Sequence, residues 1–321
     1  MRLLVGDVGG TNCRLAMFEG DHVVAALKEP SADHPTLWPF IEAFVARAGQ
    51  PDAACIGVAG PVIGGRSKLT NLGWTLDAAR LSGQLGAPLR LINDFHAQAL
   101  AMPALGPADL EPLDALEPAL DRPIAVLGAG TGLGEAIVVP VGARWVAVPG
   151  EGGHARYAPR NEREIGMLRA LIAKFDGHVS VERVVSGPGL VNVYDYLRGG
   201  GPRHPSMATE DDAAVITREA LAGGDPVCCE AADIFVAAYA EEAASLALKC
   251  NAGRVCLAGG VAPRMLPLLK RGFRAAFEDK GRYQDLMATI PAYVVTHPDP
   301  GLLGARIGAQ EMLGGAEVLA C

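Results

Sequence analysis

Twice in this chain a short apolar run enters a glycine-rich turn carrying a threonine, leaves as a second apolar run, and is followed directly by a third. The first copy occupies residues 3–5, the turn Gly6-Asp7-Val8-Gly9-Gly10-Thr11-Asn12, and residues 13–18 and 22–27. The second occupies residues 124–127, the turn Gly128-Ala129-Gly130-Thr131-Gly132-Leu133-Gly134, and residues 135–139 and 144–148. Short apolar runs punctuated by glycine read as strands joined by tight turns. Two matching three-stranded openings therefore predict two units built on one plan.

The remainder of each half fills in that plan. The first half continues with a helix over 35–47, a buried strand over 53–59 ending at Gly60-Pro61, and a helix capped by Thr75 and running to about residue 85. A strand over 89–92 and a helix over 95–102 complete a β-β-β-α-β-α-β-α unit. Residues 106–123 lack clean periodicity and read as the crossing between domains. The second half continues with helices over 161–175 and 189–197 and a Gly- and Pro-rich loop over 198–206. A long amphipathic helix over 228–249 aligns Ala232, Phe235, Tyr239, Ala243 and Leu246, keeps Glu241 and Glu242 off that face, and stops near Gly253. A strand over 255–258 enters Gly259-Gly260, Pro263 opens a helix, residues 290–295 form the last strand, and 302–313 the closing helix. Residues 1–105 are thus expected to form a small α/β domain, completed by a C-terminal helix within 298–321, and residues 106–297 a large one.

A chain of 321 residues can build two cores. Its formal charge of -8 argues against a nucleic-acid or anionic-membrane partner, which would need a basic footprint. The seven cysteines, Cys13, Cys55, Cys228, Cys229, Cys250, Cys256 and Cys321, are odd in number and show no CxxC spacing, so reduced thiols and a cytoplasmic location are expected. The apolar start breaks at Gly6-Asp7, too soon for a signal peptide's core, and no apolar run approaches membrane-spanning length.

Several stretches point to chemistry. The apolar run 88–92 stops abruptly on Asn93-Asp94. Open α/β sheets bind ligands beyond the carboxyl ends of their strands, so Asp94 stands at a ligand crevice; the alternative is that Asn93 or Asp94 simply caps the following helix. The two glycine turns present backbone N–H groups at close range, which suits polyphosphate; the alternative is a pair of plain hairpins. No lysine follows a glycine, which excludes a P-loop, and the second turn lacks the Rossmann spacing. Asp7, read as lying inside the first turn, would repel a phosphate unless magnesium stood between them, or else it closes an Asx turn. In Pro149-Gly150-Glu151-Gly152-Gly153-His154 the glycines let a carboxylate and an imidazole turn toward one ligand, while no third group is spaced to complete a metal site. Glu182 lies at an apparent helix start, where satisfaction by the helix dipole is the plain alternative.

Taken together these stretches resemble the bacterial glucokinases of the type without a repressor domain, in the superfamily of hexokinases, actin and the 70-kDa heat-shock chaperones. The similarity runs, in order, through residues 5–12, Ile92-Asn93-Asp94-Phe95, residues 128–134 and 149–154, Ser186-Gly187-Pro188-Gly189, residues 257–264, and Asp299-Pro300-Gly301-Leu302-Leu303-Gly304. The resemblance implies a duplicated, two-lobed ribonuclease-H-like α/β fold with a cleft between lobes. It implies ATP-dependent phosphorylation of glucose at the 6-hydroxyl, with Asp94 as general base and Asn93, Glu151, His154 and Glu182 bonding the other hydroxyls. Gly6, Asp7, Gly9, Gly10, Thr11 and Asn12, with Gly130, Thr131 and Gly132, match the phosphate loops, and Gly259 and Gly260 the adenosine loop. Asp7 matches the carboxylate that holds Mg²⁺ through water. A homodimer is expected on the same ground.

The related ROK kinases and repressors carry a cysteine-rich zinc motif. This chain has no cysteine between Cys55 and Cys228, so neither zinc nor a DNA-binding extension before Met1 is expected. Phosphoryl transfer through a loose transition state asks the protein mainly to position two reactants, neutralise charge and exclude water, which lobes closing over the sugar would do.

Overall fold

The computed structural model describes residues 1–69 and 71–314, and within them the chain divides into two compact units. The first comprises residues 1–104, 145–149 and 298–314, the second residues 105–144 and 150–297. The stretch 315–321, which carries the end of the expected C-terminal segment and Cys321, lies outside the described residues.

The first unit opens with β1 (Arg2–Val8), β2 (Asn12–Glu19) and β3 (His22–Pro30), followed by α1 (Leu37–Ala48) and β4 (Ala53–Val58). A hairpin of β5 (Arg66–Leu69) and β6 (Trp74–Asp77) precedes α2 (Ala78–Leu85), β7 (Leu89–Asn93) and α3 (Asp94–Ala101). The main sheet has the order β3-β2-β1-β4-β7, with β1 antiparallel to β2 and parallel to β4. Strand β4 is buried along its whole length because both faces of the sheet are covered, which is why its sequence is a continuous apolar run. On one face Phe40, Ile41, Leu81 and Leu85 of α1 and α2 pack against Leu4, Ile56 and Leu89.

Two expectations are corrected here. Thr75 does not cap α2: it lies in β6, and Asp77 caps instead, its Oδ1 accepting from the Ala79 and Arg80 amides at 3.0 and 3.2 Å. Nor does Asp7 lie in a turn. It sits in β1, paired with Arg14 of β2 and Gly57 of β4, so the first connection shrinks to Gly9-Gly10-Thr11, closed by Gly9 N–H to Asn12 O at 2.9 Å.

The second unit repeats the plan. After β8 (Leu110–Pro112) come β9 (Ile124–Ala129), β10 (Leu133–Val141) and β11 (Arg144–Gly150), then α4 (Glu162–Lys174), α5 (Gly187–Leu197), α6 (Asp212–Ala222) and α7 (Pro226–Cys250). The unit continues with β12 (Arg254–Ala258), the short α8 (Val261–Arg264), α9 (Leu266–Glu278), α10 (Gln284–Met287) and β13 (Ala292–Val295). The sheet runs β11-β10-β9-β12-β13-β8, residues 145–149 of its edge strand β11 being the stretch counted with the first unit. The first five strands reproduce the first sheet's order, as the paired openings predicted, and β8 is an added edge.

Strand β8 lies in the stretch that lacks clean periodicity and was expected to be the crossing between domains. Three residues ending in a proline form a strand only because β13 supplies the partner, an edge being where proline is tolerated. Helix α7 is not simply amphipathic: Ile234, Val236, Ala238 and Ala240 are buried as well as the expected stripe, since other helices flank it. It ends on Asn251 in the left-handed conformation, φ 52°, two residues before Gly253. Pro263 falls inside α8 rather than opening it, and Pro267 stands in the first turn of α9. The last element, α11 (Pro300–Leu313), belongs to the first unit and packs on α3 through Gly304.

Candidate functional site

In the first unit three element ends meet on one face of the sheet. Strand residues alternate sides, so Asp7, its cross-strand partner Arg14 and its neighbour Gly57 share the face covered by α3 and α11. Gly57 is what lets α3 begin so near: a Cβ there would stand 3.5 Å from Ala97 Cβ and 3.6 Å from Asp94 Cα.

At the end of β7 the two readings of Asn93-Asp94 separate. Asn93 is the cap, its Oδ1 accepting from Phe95 and His96 amides at 2.9 and 3.1 Å while its Nδ2 donates to Gly60 O at 3.2 Å. Asp94 is then the first residue of α3, half-buried, with Oδ1 accepting the Phe95 amide at 2.8 Å. Burial raises its pKa to about 6, against the opposing bond from Phe95, and the Asp7 carboxylate adds to the rise. Asp7 is itself raised, by burial first, with Arg14 opposing and Asp299 reinforcing. Asp299 precedes α11 but its carboxylate does not cap it; it pairs with Arg14 Nη1 at 2.5 Å. Asp7 thus links the two groups, acting on Asp94 while it feels the Arg14–Asp299 pair. His96, two residues from Asp94, is driven down to about 4 by burial and by Arg90, so it stays neutral in the working pH range.

The second unit gathers its own set. The second turn is also shorter than expected: Gly130-Thr131-Gly132, closed by Gly130 N–H to Gly132 O at 2.8 Å, with residues 128–129 and 133–134 in strands. Gly130 O accepts from Gly187 N at 2.8 Å, which ties the turn to the start of α5, whose cap is the buried Ser186. Tyr239 of α7 steadies the end of β9, its hydroxyl donating to Leu127 O and accepting from Ala129 N, both at 3.3 Å. Gly259 has φ +78°, and a Cβ on it would stand 2.5 Å from Ala129 O, so no other residue fits.

Around these elements lies a cavity of about 1170 Å³, bordered by Gly130, Thr131, Gly187 and Gly260, by Ala213 and Thr217 of α6, and by Arg264 of α8. The α6 wall was missed at the sequence level. Its signals were present: Asp211, whose Oδ1 accepts the Ala214 amide at 2.9 Å, and Gly223 as a left-handed cap.

Glu151 precedes the short 3-10 turn Gly152–His154 and His154 ends it, both exposed, with His154 Nε2 and Glu151 Oε2 3.8 Å apart. None of these glycines has positive φ. Their reason is space, since a Cβ on Gly153 would stand 3.0 Å from the Leu133 carbonyl carbon and one on Gly152 would strike the Glu135 carboxylate. Glu182 is in a second 3-10 turn, Val181–Arg183, rather than at a helix start; its Oε2 accepts the Leu133 amide at 2.9 Å, just beyond Gly132. The two turns are stitched together by Val181 N–H to Ala155 O at 2.9 Å and by His178 Nε2, 3.0 Å from His154 O. Among the described residues no three His, Cys, Asp or Glu side chains are grouped to hold a metal.

Comparison with known proteins adds a second line. The family model described as Glucokinase matches residues 4–312. A glucokinase of Nostoc punctiforme is 39% identical, covering 97% of this chain and 99% of its own length. Among solved structures, a glucokinase from an Antarctic psychrotroph superposes with a TM-score of 0.85 at 31% identity, over 97% of this chain and 99% of that one. A Balamuthia mandrillaris glucokinase in complex with glucose shares the fold, with a TM-score of 0.83 at 22% identity over 96% and 93% of the two chains.

Proposed function

Because this chain belongs to the glucokinase family, we propose that it transfers the γ-phosphoryl group of ATP to the 6-hydroxyl of glucose, with Asp94 as the general base. The observation that carries this reading is the state of Asp94. A carboxylate with a pKa near 6 is ionised at neutral pH yet basic enough to take a proton from a hydroxyl as the phosphoryl group arrives. Its place at the first position of α3, fixed by the Asn93 cap and the Phe95 amide, holds that oxygen still while the bond forms.

Asn93, Glu151, His154 and Glu182 are the proposed partners of the remaining sugar hydroxyls. The stitching of the two 3-10 turns supports treating the last three as one surface. For the nucleotide, Gly130 and Thr131 of the second turn and Gly260 of the Gly259-Gly260 corner border one cavity, whose volume suits a nucleotide of ATP's size. Gly9, Gly10, Thr11 and Asn12 are proposed as the second phosphate loop, by position after β1.

Asp7 is the proposed carboxylate that holds Mg²⁺ through water, an oxygen donor of the kind such a hard divalent ion takes, and it lies close enough to Asp94 to raise that group's pKa. When bound, such an ion neutralises charge on the transferring phosphate. No helix among the described residues is long and apolar enough to cross a membrane. A cytoplasmic homodimer completes the reading, on the resemblance and the cysteine pattern.

The test is ADP release from ATP with glucose, mannose, fructose, N-acetylglucosamine or no sugar. Glucose should give the highest kcat/KM and the sugar-free rate should be negligible. Turnover without sugar, or preference for another hexose, would overturn the assignment.

A further inference from the structure

Behind the turn that carries Glu151 and His154 sits a carboxyl group that the reaction does not use. Glu135 projects from β10, is 4% exposed, and its Oε1 has no hydrogen-bond partner. The same side chain is pressed against the turn, for a Cβ on Gly152 would meet its Oε2 and stand 2.6 Å from its Cδ. Only glycine at 152 leaves room for it. An unpaired carboxylate in such a place is costly, whereas the neutral acid loses far less on leaving water.

The surroundings reinforce this. From α7, Tyr239 and Glu242 bear on Glu135, and Lys249, which is 64% exposed, opposes them. From the turn, Glu151 and His154 flank Gly152 and Gly153. Burial first, then Glu242, raise the Glu135 pKa to about 7, with Lys249 opposing.

We infer that Glu135 is a positioning residue for the sugar-binding turn: its buried carboxyl backs Gly152 as the neutral acid, and loss of its proton drives residues 150–154 from the geometry that binds glucose. The inference rests on reading Glu151 and His154 as sugar ligands. Its consequence is linkage. If glucose binds the arrangement in which Glu135 is protonated, glucose binding must take up a proton near neutral pH, and affinity must fall as pH rises through 7.

Calorimetric titration of glucose into the full chain at pH 7, in buffers of differing ionisation enthalpy, measures that proton directly. Net uptake is expected, together with a rise in Kd of about five-fold or more between pH 6 and pH 8.5, the lower end of ordinary coupling between sites. Glu135→Gln, nearly the same in shape and never ionised, should lose both the uptake and most of the rise. Absence of uptake in the native protein would overturn the inference without any variant, as would uptake that survives in Glu135→Gln. Glu151→Ala separates the two readings: if it binds glucose as tightly as the native chain, the sugar assignment fails and the inference with it. If it weakens binding while native uptake is absent, the inference alone fails.

Discussion

Replacing Asp94 by asparagine should stabilise the folded protein while removing its activity, and the pH dependence of that stabilisation identifies its origin. Burial raises the Asp94 pKa from 3.8 to about 6, so the native state holds this proton more tightly than the unfolded chain. Stability owed to the group is therefore complete below about pH 4 and is lost as pH rises through 6. The shift of about two units corresponds to about 3 kcal/mol lost by pH 8, with about half of that already lost at pH 5. Asparagine is never charged, and its amide oxygen can still accept the Phe95 N–H, so the variant escapes the loss. Denaturant unfolding of both proteins at pH 5 and pH 8 should show the variant more stable at both, by a margin about 1.5 kcal/mol larger at pH 8. Turnover should fall roughly 10²–10⁴-fold, the usual worth of a general base, while glucose still binds. A variant less stable at pH 8, or a margin independent of pH, would refute the claim that an ionised, desolvated carboxylate occupies this position.

The same pKa sets a rate profile: kcat/KM for glucose should decline below about pH 6 as Asp94 takes up its proton, and a flat profile down to pH 5 would exclude it as the base. Asp7→Ala should raise the Mg²⁺ concentration needed for half-maximal rate and cut kcat more than it weakens glucose binding; unchanged metal dependence would make Asp7 structural only. Gly304→Ala places a methyl group against the Ala97 carbonyl, 2.6 Å from its carbon, so α11 must shift from the helix that carries Asp94. That overpacking should cost about 1–3 kcal/mol of stability and lower kcat, and a variant with native melting temperature and rate would refute the close-packing account.

The duplicated opening was legible because everything it needs is local. An apolar run, a glycine turn and a second run fix strands and their connection, and Leu89 to Ile92 stopping on Asn93-Asp94 marks a strand end wherever it is placed. The sequence likewise narrowed the cap of α3 to two residues. It could not choose between them, since the choice is whether Asn93 or Asp94 keeps extended backbone as the chain enters the helix. Strand length and edge strands depend on a partner. Asp7 belongs to β1 because Arg14 and Gly57 extend the ladder beyond the apolar run, and residues 110–112 form a strand because β13 lies beside them. Charge states belong wholly to the tertiary structure. Asp94 near 6 and Glu135 near 7 follow from how much water is excluded and which carboxylates stand close, quantities that join residues remote in the chain. Gly152 and Gly153 make the same point from the other side. Their composition was read as freedom to turn, but the fold uses it as room for the Glu135 carboxylate and the Leu133 backbone, because steric need is set by a neighbour and not by the residue's own torsions.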